Sequence, residues 1–239
     1  LLTLEYEGTR YSGWQRQLNG PSIQEEVEKA LAQALGKPVP LIGASRTDAG
    51  VHALGQRAHF DTDSRIPPAK WPFVLTTMLP RDISAAAARE VPDTLHARVS
   101  AAGKRYSYRI FNRPQPSALL RNFAAFVPLP LDEGAMARSL SALIGRHDFA
   151  AFATTGHQRE TTVRTIFHFQ VIRNYQEIYF DVEGSGFLYN QVRNMVGTLI
   201  EIGRGHWEPD SIAAIIAGRD RSRPALAGFQ ARVVCDPRT

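Results

Sequence analysis

Arg46, Asp48 and His52 crowd into the short stretch Gly43-Ala44-Ser45-Arg46-Thr47-Asp48-Ala49-Gly50-Val51-His52-Ala53. A carboxylate can act as a nucleophile or as a proton acceptor, provided it is ionised. A guanidinium two residues away favours the ionised form. Gly43 and Gly50 permit backbone angles and close approaches that a side chain would forbid. The apolar run Pro40-Leu41-Ile42 precedes the stretch, and an alternating run ending at Ala58-His59-Phe60 follows it. The polar residues therefore fall on a loop between two strands, where chemistry is often placed. Residue types alone fit a surface turn with a weak local ion pair at least as well.

Other chemistries find no footing. There is no Gly-x-x-x-x-Gly-Lys-Ser/Thr phosphate loop, no His-Glu-x-x-His and no Pro-Cys-x-x-Cys. The seven histidines lack metal-ligand spacing, and the single cysteine, Cys235, excludes an internal disulfide and a multi-cysteine metal site. Asp48 is left as the best nucleophile or base, with no metal and no cofactor expected. No apolar run is long enough to cross a membrane. The first residues show no signal-peptide pattern, and the sequence reads as starting a little inside the gene product. A cytoplasmic protein is the simple expectation.

The elements around the loop read as α+β. Residues 2–6 alternate like a half-buried strand. Pro21-Ser22 opens a helix, with Ser22 as its cap and Glu25 three residues on; Gly36 ends it. Strands are expected near 39–42, after the loop, and over 83–91, with a short helix over 71–79. Residues 105–111 alternate, so Tyr106, Tyr108 and Ile110 share one face. A helix is expected over 131–144, a pair of strands over 163–173 and 176–183 turning at Asn174, an amphipathic helix over 187–202, another helix over 209–217 and a final strand over 230–235. Two stretches echo each other. A strand, Glu7-Gly8, an aromatic and a helix recur as a strand, Glu183-Gly184, Phe187 and a helix. The chain is read as two halves, 1–99 and 100–239. The first carries 11 basic and 11 acidic side chains and the second 17 and 12, so the net charge of +5 lies entirely in the second. Arginine outnumbers lysine 24 to 4, and its planar fork suits phosphates and bases. A polyanion partner fits that balance.

The order Arg46-Thr47-Asp48-Ala49-Gly50-Val51-His52-Ala53 resembles the active-site signature of the TruA family of tRNA pseudouridine synthases. Further matches follow in the family's order: Tyr6-Glu7-Gly8-Thr9, Gly13-Trp14-Gln15, Ser22-Ile23-Gln24, His96-Ala97-Arg98, Arg105-Tyr106-Ser107-Tyr108, Phe187-Leu188 and Val192-Arg193-Asn194-Met195-Val196-Gly197. The resemblance spans essentially the whole chain. It departs at Ser45, where the family usually has Gly, at Met78 in place of Asn and at Leu95 in place of Phe. Ser45 is expected to alter how closely the loop approaches RNA.

The resemblance implies a fold of two similar α/β halves with antiparallel sheets side by side around a basic cleft. It implies conversion of uridine to pseudouridine in the anticodon arm, at tRNA positions 38, 39 and 40, by a homodimer. It makes Asp48 the nucleophile and Arg193 its ionic partner, a residue otherwise read as a solvated helix arginine. Tyr106 becomes the base-stacking residue, with Tyr108 in the core. Arg46 and His52 become substrate-binding, and Phe229 the apolar residue that closes the base pocket. Two rivals stand beside this reading: a tRNA-binding protein that has lost activity, and a carboxylate glycosidase, which would need a second carboxylate near Asp48.

Overall fold

The structure is a computed structural model that describes residues 1–154, 161–218 and 233–238. The chain divides into two units, Leu1–Gly103 with Val234–Thr239, and Lys104–Val233.

The first unit is a sheet with helices. Its strands are β1 (Leu2–Tyr6), β2 (Ile42–Gly43), β3 (His52–His59) and β4 (Ile83–Ala88). β1 lies between β3 and β4, antiparallel to both, and β2 pairs antiparallel with β3. The alternation in β1 turns Leu2, Leu4 and Tyr6 inward. They pack with Trp14, Leu41, Trp71, Leu75 and Ile83. Helix α1 (Ile23–Leu35) adds Ile23, Val27, Ala30 and Leu31 from one face. Ser22 caps it as expected, accepting from the Glu25 amide at 3.3 Å. Gly36 closes it with φ 70°. Helix α2 (Trp71–Thr76) is shorter than its sequence pattern suggests.

The second unit is built on β5 (Gly103–Asn112), with β6 (Ala125–Val127), β7 (Gly145–Asp148), β8 (Val163–Asn174) and β9 (Glu177–Gly184). β5, β9, β8 and β7 pair antiparallel in that order, and β6 lies parallel to β5. The hairpin turns through Tyr175, at φ 53°, one residue beyond the expected Asn174. Helix α3 (Glu133–Ser139) is capped by Asp132, and helices α4 (Gln191–Gly203) and α5 (Ser211–Gly218) follow.

Two sequence expectations change here. The helix expected over 187–202 starts at Gln191, and its polar face is turned into the protein rather than to solvent, since every residue in it except Arg193 and Glu201 is buried. Its inward polar groups are satisfied. Gln191 Oε1 accepts from the Leu188 amide at 2.8 Å, Asn194 Nδ2 donates to the Phe152 carbonyl at 2.8 Å, and Thr198 Oγ1 donates to the Asn194 carbonyl at 2.9 Å. The last strand, β10 (Val233–Arg238), falls in the half drawn as 100–239. It pairs in parallel with β3, Val234 opposite His52, and groups with the first unit. Among the described residues no helix is long and apolar enough to cross a membrane.

The echoed Glu-Gly pairs sit in different settings. Glu7-Gly8 follows the end of β1, with Gly8 opening a short 3-10 helix, whereas Glu183-Gly184 are the last two residues of β9. A Cβ on Gly8 would stand 1.9 Å from the Val51 carbonyl oxygen, and one on Gly184 would stand 2.8 Å from that of Thr165. At both positions only glycine lets the backbone lie this close to its neighbour.

Candidate active site

The Asp48 loop leaves β2 at Gly43 and enters β3 at His52. Gly43 is demanded by contact, since a Cβ there would meet the Trp14 ring at 2.5 Å. Gly50 is demanded by conformation: its φ is 75° with nothing near its missing side chain. Between them the chain alternates. Ala44, Ser45, Thr47 and Val51 are buried, Arg46 and Ala49 are exposed, and Asp48 is half-buried. Arg46 and Asp48 thus alternate with the buried Ser45 and Thr47.

The turn between β1 and α1 grips this loop. The Trp14 amide donates to the Thr47 carbonyl at 3.0 Å, and the Gly50 amide to the Tyr11 carbonyl at 3.3 Å. The Asp48 carbonyl accepts from the Val51 amide at 3.1 Å. The Tyr6 hydroxyl and Thr47 Oγ1 share a hydrogen bond of 2.8 Å, and Gln56 Nε2 donates to the Ser45 carbonyl at 2.6 Å. Tyr11 and Arg10 anchor the turn in its place through Asp82, each at 2.8 Å.

His52 is buried. Its Nδ1 accepts from the Gly8 amide at 3.1 Å, so when the ring is neutral its proton sits on Nε2. Glu7 Oε1 lies 3.9 Å from the same nitrogen, beyond hydrogen-bond reach. This ring steadies the entry to β3 from behind the loop.

In the second unit Tyr106 is half-buried on β5, and the Phe187 ring meets it edge-on, centroids 5.1 Å apart at 81°. Two residues further along, Tyr108 is fully buried against Phe180. Burial pushes its hydroxyl well above the usual tyrosine range, with the Arg193 charge acting the other way. Arg193 stands in the first turn of α4, half-exposed, where the helix dipole disfavours a cation. Helix stability therefore does not account for an arginine at that position. Phe229 lies outside the described residues.

Asp48 and Arg46 share one loop of the first unit and His52 begins the strand that follows it, while Tyr106 and Arg193 belong to the second. Sequence reasoning assigned no role to Tyr6, Gln56, Gly8 or Gly13, all of which hold the loop. Tyr6, Gly8 and Gly13 stood out only as members of family-order matches, and Gln56 left no signal. Among the described residues no group of three or more His, Cys, Asp or Glu side chains could hold a metal.

A repeated α+β unit that displays a loop carboxylate defines the class, and sequence comparison defines the family. Residues 3–98 and 140–235 match the tRNA pseudouridine synthase family, one block in each half. The tRNA pseudouridine synthase A of Ruminiclostridium cellulolyticum is 46% identical over 93% of this chain and 91% of its own length. That of Acetivibrio thermocellus is 47% identical over the same shares, and that of Syntrophotalea carbinolica 46% identical over 94% and 89%. The chain belongs to the tRNA pseudouridine synthase family.

Proposed function

We propose that the protein isomerises uridine to pseudouridine in tRNA, with Asp48 as nucleophile. The observation that carries this reading is the loop itself: a half-exposed carboxylate, in the family's signature order, on a backbone held from beneath. The reaction breaks the uracil N1–C1′ bond, turns the base and forms a C5–C1′ bond. The C5 proton leaves and N1 gains one, so substrate and product are isomers and no cofactor is needed.

The nucleotide must leave its stack to be reached. Tyr106, its ring braced by Phe187, supplies a surface for the extruded base. Arg46, exposed beside Asp48, contacts the RNA backbone through its guanidinium fork. His52 serves the substrate indirectly, by fixing the β3 entry. Arg193 is the cation that keeps Asp48 ionised and aimed, and Phe229 closes the base pocket. The target is the anticodon arm at positions 38 to 40, and the working form is a cytoplasmic homodimer.

Asp48→Asn tests the reading, because it keeps side-chain size and removes the nucleophile. Turnover should vanish while tRNA affinity, supplied mainly by phosphate contacts, persists. Pseudouridine formation near the wild-type rate would refute the assignment.

A further inference from the structure

The alternation of the Asp48 loop points to how the carboxylate is aimed. Two of its inward residues, Ser45 and Thr47, are each latched by a side chain of the sheet. Gln56 on β3 has no exposed surface and donates to the Ser45 carbonyl at 2.6 Å. Tyr6, at the end of β1 and 3% exposed, bonds the Thr47 hydroxyl at 2.8 Å. The Thr47 carbonyl is itself held by the Trp14 amide at 3.0 Å. The peptide that leads into Asp48 is therefore tied at its side chain and at its carbonyl. Arg46 and Asp48, the residues between and after the latches, point the other way.

We infer that Tyr6 and Gln56 are positioning residues of the reaction. They touch neither uridine nor RNA and act by fixing the backbone from which Asp48 is presented. The inference rests on the reading of Asp48 as nucleophile. A core role alone would ask only for the Tyr6 ring, which packs near Trp14 with centroids 6.2 Å apart. Phenylalanine would serve that packing equally well. The hydroxyl instead reaches a residue 41 positions away that adjoins the reactive carboxylate.

The magnitude follows from how steeply rate depends on placement. A misplacement of about 1 Å costs roughly 100-fold. Losing one latch while the Trp14 amide still holds Thr47 should displace Asp48 less, which gives a loss on the order of 10-fold.

The test uses the full chain, unmodified tRNA transcript and steady-state and single-turnover rates for Tyr6→Phe, Thr47→Val and the double variant. Each single change should lower kcat about 10-fold and leave KM for tRNA within about twofold. The double variant should be no slower than either single one, because both remove the same bond. Thr47→Ser, which keeps the hydroxyl, should recover most of the rate. Gln56→Leu gives a second readout at the other latch: a lower kcat at constant KM. Losses that multiply in the double variant would overturn the inference, as would a lower Tm with kcat unchanged. Asp48→Asn, measured alongside, separates the two levels. If it turns over, the nucleophile assignment fails and takes the inference with it. If it is inactive while Tyr6→Phe reacts like wild type, the inference fails alone.

Discussion

Replacing Gly13 by alanine tests how rigidly the Asp48 loop is held. Gly13 has a φ of 103°, and a Cβ there would stand 2.4 Å from the Thr47 carbonyl oxygen and 3.1 Å from the Asp48 carbonyl carbon. Two costs add. The backbone conformation is unfavourable to any L side chain by about 1–2 kcal/mol. The new methyl also overlaps backbone atoms by about 1 Å, and unlike a side chain these cannot rotate away; overpacking of this kind costs about 1–3 kcal/mol. The total is about 2–5 kcal/mol, and part of it is relieved by pushing the Thr47–Asp48 peptide outward. A shift approaching 1 Å should then cost roughly 100-fold in rate. Gly36→Ala is the matched control: its φ is 70°, nothing lies within 4 Å, and it caps a helix away from the loop. It should lose only about 1 kcal/mol and no activity. Urea unfolding gives the stability of each variant, and single-turnover pseudouridine formation below the unfolding range gives the rate. If Gly13→Ala resembles Gly36→Ala in both measurements, the turn does not hold the loop and the account of the site is wrong.

Tyr108→Phe should raise stability by up to about 1 kcal/mol in urea, since it removes a buried hydroxyl with no hydrogen-bond partner among the described residues. A clear loss of stability would show that the hydroxyl is satisfied. Arg193→Lys should lower the rate more than the tRNA affinity, because lysine keeps the charge but not the fork; weaker binding at an unchanged rate would make Arg193 a phosphate contact. His59 is held below the usual histidine range, first by burial and then by His96, with Asp61 opposing. Folding thus favours its neutral ring, which accepts from the Ala97 amide at 3.2 Å, and this contribution is lost as pH falls through the ordinary histidine range. His59→Asn keeps an acceptor without the titration, so thermal stability should fall less between pH 7 and 5.5 than in wild type; identical slopes would refute the link.

Local signals read well where local physics decides. Ser22 and Gly36 mark the ends of α1, and the alternation of residues 2–6 gives β1 its inward face. The sequence misleads where burial is set by the rest of the fold. Gln191, Asn194 and Thr198 suggest an exposed face on α4, yet each is buried and bonded, two of them within the helix or its lead-in and one to Phe152. Hydrophobic periodicity cannot register a polar residue that is buried with its hydrogen bonds satisfied. The short strands β6 and β7 lack enough residues to show a period. The parallel pairing of β10 with β3 is set by contacts across most of the chain, which no local pattern encodes. At the site, the glycines and the family order exposed the loop. The latches, spanning 41 and 11 residues, were invisible.

Ser45 shows what the alternation decides. As a departure from the family's glycine, it suggested a change in how closely the loop meets RNA. Its side chain instead points inward, 2% exposed, with Oγ donating to the Arg46 carbonyl at 3.3 Å. A side chain at this position is therefore met by the protein, and the displayed edge of the loop keeps Arg46 and Asp48 unchanged. The same freedom is denied two residues earlier, where a Cβ on Gly43 would enter the Trp14 ring. The latch at position 45 is made to a carbonyl, which every residue carries, so that bond does not depend on the side chain there. Position 47 cannot vary in the same way, because its latch is made by a hydroxyl. Serine would keep that bond and valine would lose it, although valine is the closer match in shape. The loop thus reads as two kinds of constraint interleaved: backbone bonds that tolerate substitution, and one side-chain bond, next to the carboxylate, that does not.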